Sequence, residues 1–182
     1  MPITPDDKDW TWVLERPCPE CGFDPGAVSF REIPELTRAN VTAWRSVLGR
    51  DGIAERPDDS TWSPLEYAAH VRDVFRIMHA RLNLMLVLDD PEFLNWDQDA
   101  TQVAQDYNSQ DPKRVAIELT EAGAAIASAF ELVHDAELGR EGRRSNGSVF
   151  TVATLATYFL HDVVHHLHDV GGDLGADGFP SP

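Results

Sequence analysis

The sequence predicts an all-α fold, a four-helix bundle preceded by an irregular N-terminal strap. Apolar residues recur at three- to five-residue steps along four long segments, and helix-start signals precede those segments. Strand-type alternation of Val, Ile and Thr is confined to short stretches of the sequence. With 182 residues, the chain has the size of one domain and can bury a sizeable core.

The strap is predicted over residues 1–30, where five prolines interrupt any long helix or central strand. Trp10, Trp12 and Phe23 are the side chains that we expect to pin it to the bundle. The first helix is predicted over residues 31–48, because its apolar residues follow one helical face until two glycines end the pattern.

The second helix has the clearest start. Ser63 is a candidate N-cap, Pro64 suits the first helical position, and Glu66 completes a capping box. We expect this helix to run to about Leu88. The connection that follows, residues 89–110, has 22 residues, whereas bundle connections usually need only a handful. Such a length indicates a crossover or a functional segment.

The third helix is predicted from Asp111 to about Leu138, and the fourth from Ser148 or Thr151 to Val170. Asp-Pro is a common helix start, and the glycine pair after the fourth helix suits a helix end. All-α is therefore the interpretation with the fewest conflicts.

The predicted helix boundaries divide the chain into three parts. They are an N-terminal extension with a C-x-x-C motif at 1–30, the bundle at 31–172, and a flexible tail rich in glycine and proline at 173–182. The sequence shows no internal repeat, so one bundle accounts for the central part.

The charge balance restricts the partners. The chain has 15 Lys and Arg against 31 Asp and Glu, a formal net charge of -16, which repels nucleic acid and anionic membrane surfaces. No stretch approaches the roughly 18 apolar residues of a membrane span, and the N-terminus lacks signal-peptide features. We therefore expect a cytoplasmic protein with no nucleic-acid or membrane partner.

Two histidines of the fourth helix, His161 and His165, stand on one face with about 6 Å of axial rise between them. If the second and fourth helices are antiparallel neighbours, His70 lies roughly 10 Å from the shared end, between His165 at roughly 7 Å and His161 at roughly 14 Å. The long connection supports this arrangement, because it lets the second and third helices run in the same direction. The sequence thus predicts one metal ion on these three histidines.

The other histidines fit this site less well. His79 lies on the opposite face of the second helix, and His134 lies near a helix end. His166 points about 100° away from His165 on an α-helix. His168 is the substitute ligand that we consider most credible.

The segments WSPLEYAAH at 62–70 and YFLHDVVH at 158–165 resemble the DinB/YfiT-like family of metal-dependent four-helix-bundle proteins. The resemblance covers roughly residues 31–172. It implies helices in up-down-down-up order, a homodimer, and a zinc, nickel or similar ion on His70, His161 and His165. Imidazole ligands also accept iron.

Three neutral imidazoles with an open position are typical of catalytic zinc, which makes water or a thiol reactive near neutral pH. Related families in this fold include thiol-dependent transferases and a mycothiol-dependent isomerase, so the resemblance implies a mycothiol- or bacillithiol-type cosubstrate. The leading hypothesis is a metal-dependent S-transferase or hydrolase that acts on a small molecule, with its catalytic acid and base unassigned. One alternative is a non-catalytic metal-binding stress or scaffold protein.

A zinc protease is a further alternative, because H161-D-V-V-H165 resembles the motif H-E-x-x-H. Asp162 is one methylene shorter than the glutamate of that motif, which argues against it. We favour the remote His70 over any downstream residue as the third ligand.

Two sets of polar residues could support the metal site. The carboxylates that could orient its histidines are Glu66, Asp73 and Asp169, about one turn from them. In the long connection, the residues that could line a pocket mouth are Asn95, Trp96, Asp97 and Asp99.

The motif C18-P-E-C21 allows three interpretations. It is an ordinary turn with two thiols, a zinc half-site completed by histidine, carboxylate or a second chain, or a redox pair. The sequence does not decide among them, because it contains no second C-x-x-C motif.

Overall fold

Four long helices and one short helix make up most of the computed structural model, which describes residues 9–174. The helices are α1 (Ile33–Leu48), α2 (Pro64–Val87), α3 (Gln98–Ala104), α4 (Pro112–Glu131) and α5 (Val152–Asp169). Helix α3 is the short one and lies in the connection between α2 and α4. The predicted bundle with its irregular N-terminal strap is confirmed, and a small sheet is added to it.

Helices α2 and α4 start after the predicted residues Ser63 and Asp111, and α5 starts after Thr151, one of the two positions that the sequence left open. The side chain of Ser63 accepts a hydrogen bond from the Glu66 backbone, and the Glu66 carboxylate accepts one from the Ser63 backbone, so the capping box of α2 is complete. Asp111 caps α4 by accepting from the Lys113 N–H, and Thr151 caps α5. These bonds satisfy N–H groups that a helix end leaves without partners.

Contacts between helix ends give the direction of α1 relative to α4 and α5. Arg38 near the start of α1 pairs with Glu131 at the end of α4, so these two helices are antiparallel. Arg50, just after α1, donates a hydrogen bond of 2.7 Å to the carbonyl of Val170, just after α5. Helices α1 and α5 therefore run in the same direction.

The direction of α2 relative to α4 follows from a contact at their starts. The Ser63 hydroxyl donates a hydrogen bond of 2.6 Å to the side-chain oxygen of Asn108, four residues before α4. The two helices are therefore parallel, and the chain between them crosses the length of the bundle. Together these relations give the up-down-down-up order.

Helix α4 ends at Glu131, seven residues before the predicted end at Leu138. Arg31 donates a hydrogen bond of 2.9 Å to the carbonyl of Val133 and forms an ion pair with Asp135. These contacts hold the chain in a non-helical path and satisfy a carbonyl at the helix end. The predicted end of this helix was wrong because periodicity does not register the contacts with Arg31, which lies about 100 positions earlier in the chain.

A three-stranded sheet that the sequence did not predict lies beside the bundle. Its strands are β1 (Glu92–Phe93), β2 (Glu141–Arg144) and β3 (Val149–Thr151), in the order β1-β2-β3. Strand β1 is parallel to β2, and β2 is antiparallel to β3. Strands this short carry too few residues for a visible period of two.

The N-terminal strap packs against the bundle, as predicted. The Phe23 side chain is buried in the core, and Trp12 packs against the core from its edge. The predicted flexible tail falls outside the described residues from position 175 onward, as do residues 1–8 of the predicted extension. Within the described part of the chain, no helix is long and apolar enough to cross a membrane.

Candidate metal centres

Helix α5 presents two ligand pairs that are offset by one residue. His161 and His165 form one pair, and Asp162 and His166 form the other, each with a spacing of four residues. Adjacent positions on an α-helix point about 100° apart, so the two pairs face different parts of the protein.

Two clusters of metal-ligating side chains result from this offset. One contains His70, Asp162 and His166, and the other contains Cys18, Cys21, His161 and His165. Within each cluster the candidate ligand atoms all lie within 4.8 Å of one another. No other cluster of this kind occurs among the residues that the structure describes.

The predicted three-histidine set is divided between these clusters. The structure brings His161 and His165 together, but it places His70 with Asp162 and His166. Helix α5 turns its 162/166 face toward α2, whereas the strap covers its 161/165 face. Sequence reasoning missed Asp162 and His166, although D162-x-x-x-H166 has the same spacing as the pair that it chose. The substitute ligand proposed from the sequence, His168, is exposed and lies in neither cluster.

His70 is the most deeply buried member of its cluster. Its side chain is 0% exposed, and neither ring nitrogen has a hydrogen-bond partner. The ring centroid of His166 lies 4.7 Å from that of His70. The Asp162 carboxylate lies 3.5 Å from Nε2 of His166. A buried imidazole without partners is unfavourable in an empty site, but it fits a metal ligand.

Aromatic rings enclose His70. The Trp96 ring stacks on it at 5.2 Å with an angle of 7° between the planes, and the Trp62 ring lies at 5.3 Å. Burial, followed by the nearby His166, lowers the pKa of His70 well below its usual value. The imidazole is therefore neutral, which is the form that binds a metal.

Asp169 orients His166. Its carboxylate lies 3.0 Å from Nδ1 of His166, which keeps a proton on that nitrogen and leaves Nε2 available on the side of Asp162. The same carboxylate lies 3.7 Å from Nε2 of His165. Of the three carboxylates predicted to orient ligands, this one contacts histidines of both clusters.

Glu66 and Asp73 do not orient His70, contrary to expectation. The Glu66 carboxylate binds Arg56 at 2.8 Å, and the Asp73 carboxylate accepts a hydrogen bond of 2.6 Å from Tyr107. Both therefore stabilise the packing of the loop and crossover segments on α2. The spacing of one helical turn was insufficient to assign their partners.

The second cluster joins the strap to α5. The Cys18 sulfur lies 3.7 Å from Nδ1 of His165, and Nε2 of His161 is buried without a hydrogen-bond partner. Burial, followed by the nearby His165, lowers the pKa of His161 to about 3, so this imidazole is also neutral. Burial raises the pKa of Cys21 to about 12, which keeps this thiol protonated unless a cation is present.

A cleft of about 970 Å³ opens next to both clusters. Its lining includes Asp162 and His166 of one cluster and His161 and His165 of the other. The four residues predicted to line a pocket mouth also contribute to it, namely Asn95, Trp96, Asp97 and Asp99. Arg144 is the one lining residue with a permanent positive charge in the described part of the chain.

The fold and the clusters define a class of protein, an up-down-down-up four-helix bundle with candidate metal ligands beside a cleft. A sequence model of the DinB superfamily matches residues 34–170, and the chain therefore belongs to that superfamily.

One similar solved structure is YfiT from Bacillus subtilis, described as "a probable metal-dependent hydrolase with an unusual four-helix bundle topology". The two chains are 17% identical, with a TM-score of 0.69 over 78% of this chain and 85% of YfiT. At this identity the similarity shows the fold alone. No protein with a curated description matches the chain.

Proposed function

We propose that the protein is a metal-dependent enzyme that holds a divalent ion on His70, Asp162 and His166 and acts on a small molecule in the adjacent cleft. The observation that carries this proposal is the fully buried His70, whose two ring nitrogens lack partners. Its neighbours are another imidazole and a carboxylate, the donor types that bind zinc, nickel and iron.

Three protein ligands leave a coordination position open, as in catalytic rather than structural sites. A divalent ion in such a site supplies a Lewis acid that lowers the pKa of water or a thiol. The reaction that we propose is therefore hydrolysis, or transfer of a low-molecular-weight thiol of the mycothiol or bacillithiol type. The description of YfiT as a probable metal-dependent hydrolase motivates the first reaction. The resemblance to thiol-dependent families of this fold motivates the second.

Residues of the chain prepare this site in three ways. Trp96 and Trp62 pack on the ring of His70, which is 0% exposed, and hold it in place. Asp169 keeps the proton of His166 on Nδ1. Arg144 lines the cleft and donates a hydrogen bond of 3.4 Å to Asn95, and in this proposal its guanidinium binds an acidic group of the substrate.

The lining of the cleft favours a small substrate with few negative charges. Six carboxylates line the same cleft as Arg144, and they would repel a polyphosphate. They are Asp9, Glu20, Asp97, Asp99, Asp162 and Asp169. Tryptophan and tyrosine rings complete the lining and offer flat apolar contacts.

The test combines metal analysis with two assays. Purified protein is loaded with zinc, nickel or iron, and its metal content is measured. Ester and amide substrates then report hydrolysis, and electrophiles mixed with glutathione, bacillithiol or mycothiol report thiol transfer. His70→Ala should lose one equivalent of metal and all turnover, whereas His168→Ala, at an exposed position on α5, should keep both.

The rival proposal is a non-catalytic metal-binding stress or scaffold protein. Full metal occupancy without turnover of any tested class would favour it. A zinc protease built on His161 and His165 is disfavoured, because Cys18 and Cys21 complete a set of four around them. A closed set of four ligands leaves no position for water or substrate.

The homodimer implied by the family resemblance stays a proposal. Light scattering of the purified chain checks it. A monomeric mass across the working concentration range would contradict it.

A further inference from the structure

We propose that Cys18, Cys21, His161 and His165 bind a structural zinc ion that fastens the N-terminal strap to the last helix. This site is separate from the catalytic centre proposed above. Two thiols and two imidazoles are a complete tetrahedral set for zinc, with no position left for chemistry.

The distances fit this assignment. Two ligands of a tetrahedral zinc ion stand about 3.3–3.8 Å apart, given the usual zinc–sulfur and zinc–nitrogen bond lengths. The Cys18 sulfur lies 3.7 Å from Nδ1 of His165, and all four candidate ligand atoms lie within 4.8 Å of one another. A small adjustment of side chains is therefore sufficient to bind the ion.

Burial and missing partners point to a ligand in the same place. Cys18 is 1% exposed and His161 is 3% exposed. The buried Nε2 of His161 has no hydrogen-bond partner in the protein. Burying such a nitrogen without a partner is unfavourable, and coordination of a metal removes this cost.

The backbone around the two cysteines forms a tight turn. The Cys18 N–H donates to the carbonyl of Phe23 at 2.8 Å, and the Gly22 N–H donates to the carbonyl of Cys18 at 2.9 Å. Gly22 adopts a φ of 74°, a conformation that side chains disfavour. This turn brings both thiols to one side of the strap, toward α5.

Carboxylates on the far side of His165 complete the arrangement. Its Nδ1 faces Cys18, whereas its Nε2 lies 3.5 Å from Glu20 and 3.7 Å from Asp169. Zinc-binding histidines commonly place their second nitrogen against a carboxylate, which fixes the ring and its tautomer. Of the three interpretations of the C-x-x-C motif, the zinc half-site completed by histidine accounts for these contacts.

Cobalt substitution tests the proposal on the full-length, reduced protein. A tetrahedral cobalt ion with thiolate ligands has a sulfur-to-metal charge-transfer absorption in the near ultraviolet. We expect this band in the wild type, its loss in Cys18→Ser and in His161→Ala, and its retention in His161→Cys. His70→Ala should lose one equivalent of metal and keep the band, which separates this site from the proposed catalytic centre.

A second test measures alkylation of the two cysteines in the wild-type chain, so its result does not depend on whether a variant folds. Both cysteines should resist alkylation in the zinc-loaded protein and react after a chelator is added. Equal alkylation with and without zinc would overturn the proposal. The same is true if the wild type lacks the cobalt band, or if the zinc-saturated protein contains a disulfide between Cys18 and Cys21.

Discussion

Asp169 contacts two histidines that belong to different clusters. Its carboxylate accepts a hydrogen bond from His166 at 3.0 Å and lies 3.7 Å from Nε2 of His165. Glu20, in contrast, lies 3.5 Å from Nε2 of His165 alone. Asp169 can therefore report on both proposed ions, whereas Glu20 can report on the ion at the cysteine-containing site alone.

We expect Asp169→Asn to weaken both metal sites, because an amide stabilises the oriented imidazole less than a carboxylate does. The loss of affinity should be about 10–100-fold at each site. Glu20→Gln should weaken the cysteine-containing site only. Competition with a chromophoric chelator, using cobalt to distinguish the sites, measures both effects. Equal weakening of both sites by Glu20→Gln would contradict the assignment.

Glu66 is a second residue with a defined electrostatic role. Burial opposes its charged form, but hydrogen bonds from Arg56 and Ser63 outweigh burial and hold the pKa of Glu66 below its usual value of 4.5. The carboxylate is fully buried and also accepts a hydrogen bond of 2.8 Å from Gln102. The charged form therefore stabilises the folded state.

Glu66→Gln should lower the free energy of unfolding at pH 7 by about 1–3 kcal/mol, because the charged hydrogen bonds are lost. The contribution is fully present above pH 4.5 and disappears as the pH falls through the lower folded-state pKa. The difference between wild type and variant should therefore shrink at acidic pH. Urea unfolding across pH measures it, with the exposed Glu121→Gln as control. A difference that stays constant with pH would contradict this role.

At the scale of elements, helix α4 fits closely between α1 and α2 at Gly123. A Cβ atom at this position would lie 2.2 Å from Val41 of α1 and 3.0 Å from Phe75 of α2. Both distances are shorter than van der Waals contact. The close packing of α1, α2 and α4 therefore requires glycine at position 123.

Gly123→Ala should destabilise the protein despite the higher helix propensity of alanine. Overpacking costs about 1–3 kcal/mol, whereas the propensity gain is at most about 1 kcal/mol. Gly139→Ala is the control, because a Cβ there meets nothing within 4 Å. Thermal unfolding of both variants measures the difference. If Gly123→Ala were more stable than the wild type, α4 could move away from α1 and α2 without a loss of stability, which would contradict this prediction.

The elements that the sequence predicted well are those with local signals. The capping residues Ser63, Asp111 and Thr151 act through bonds within four residues. The pattern alone therefore indicated the starts of α2 and α4 and limited the start of α5 to Ser148 or Thr151. The end of α4 and the small sheet depend on distant partners instead. Gly142 of β2, for example, is needed because a Cβ there would lie 2.5 Å from Phe93 of β1.

In the candidate site, too, the features set by helical spacing were predictable, whereas those set by contacts with distant residues were not. Helical spacing predicted that His161 and His165 share a face, and the antiparallel arrangement correctly brought α5 beside His70. Spacing alone could not predict which pair, 161/165 or 162/166, lies on the side of α5 that faces α2. Both pairs have the same spacing of four residues. Trp10 and Phe23 of the strap contact His161 in the structure, and the strap has no helical period from which these contacts could be predicted.

For the whole molecule, zinc should stabilise the folded chain by mass action. At a free concentration of about 100 times the dissociation constant, each site contributes about 2.7 kcal/mol. Thermal unfolding at increasing free zinc should therefore show a rising midpoint, and Cys18→Ser should show a smaller rise than the wild type. Equal responses of the two proteins would exclude a stabilising ion at the cysteines.

Cys18 and His165 are 147 positions apart, so their contact joins the two ends of the described chain. An ion at this point would close the polypeptide into a ring. Fraying usually begins at chain ends, and the strap residues that follow Cys18 would then lie inside a closed segment instead of at a free end. We expect amide hydrogen exchange near the buried Phe23, which lies inside the closed segment, to be as slow as in the helical core when zinc is bound, and to become fast when zinc is removed.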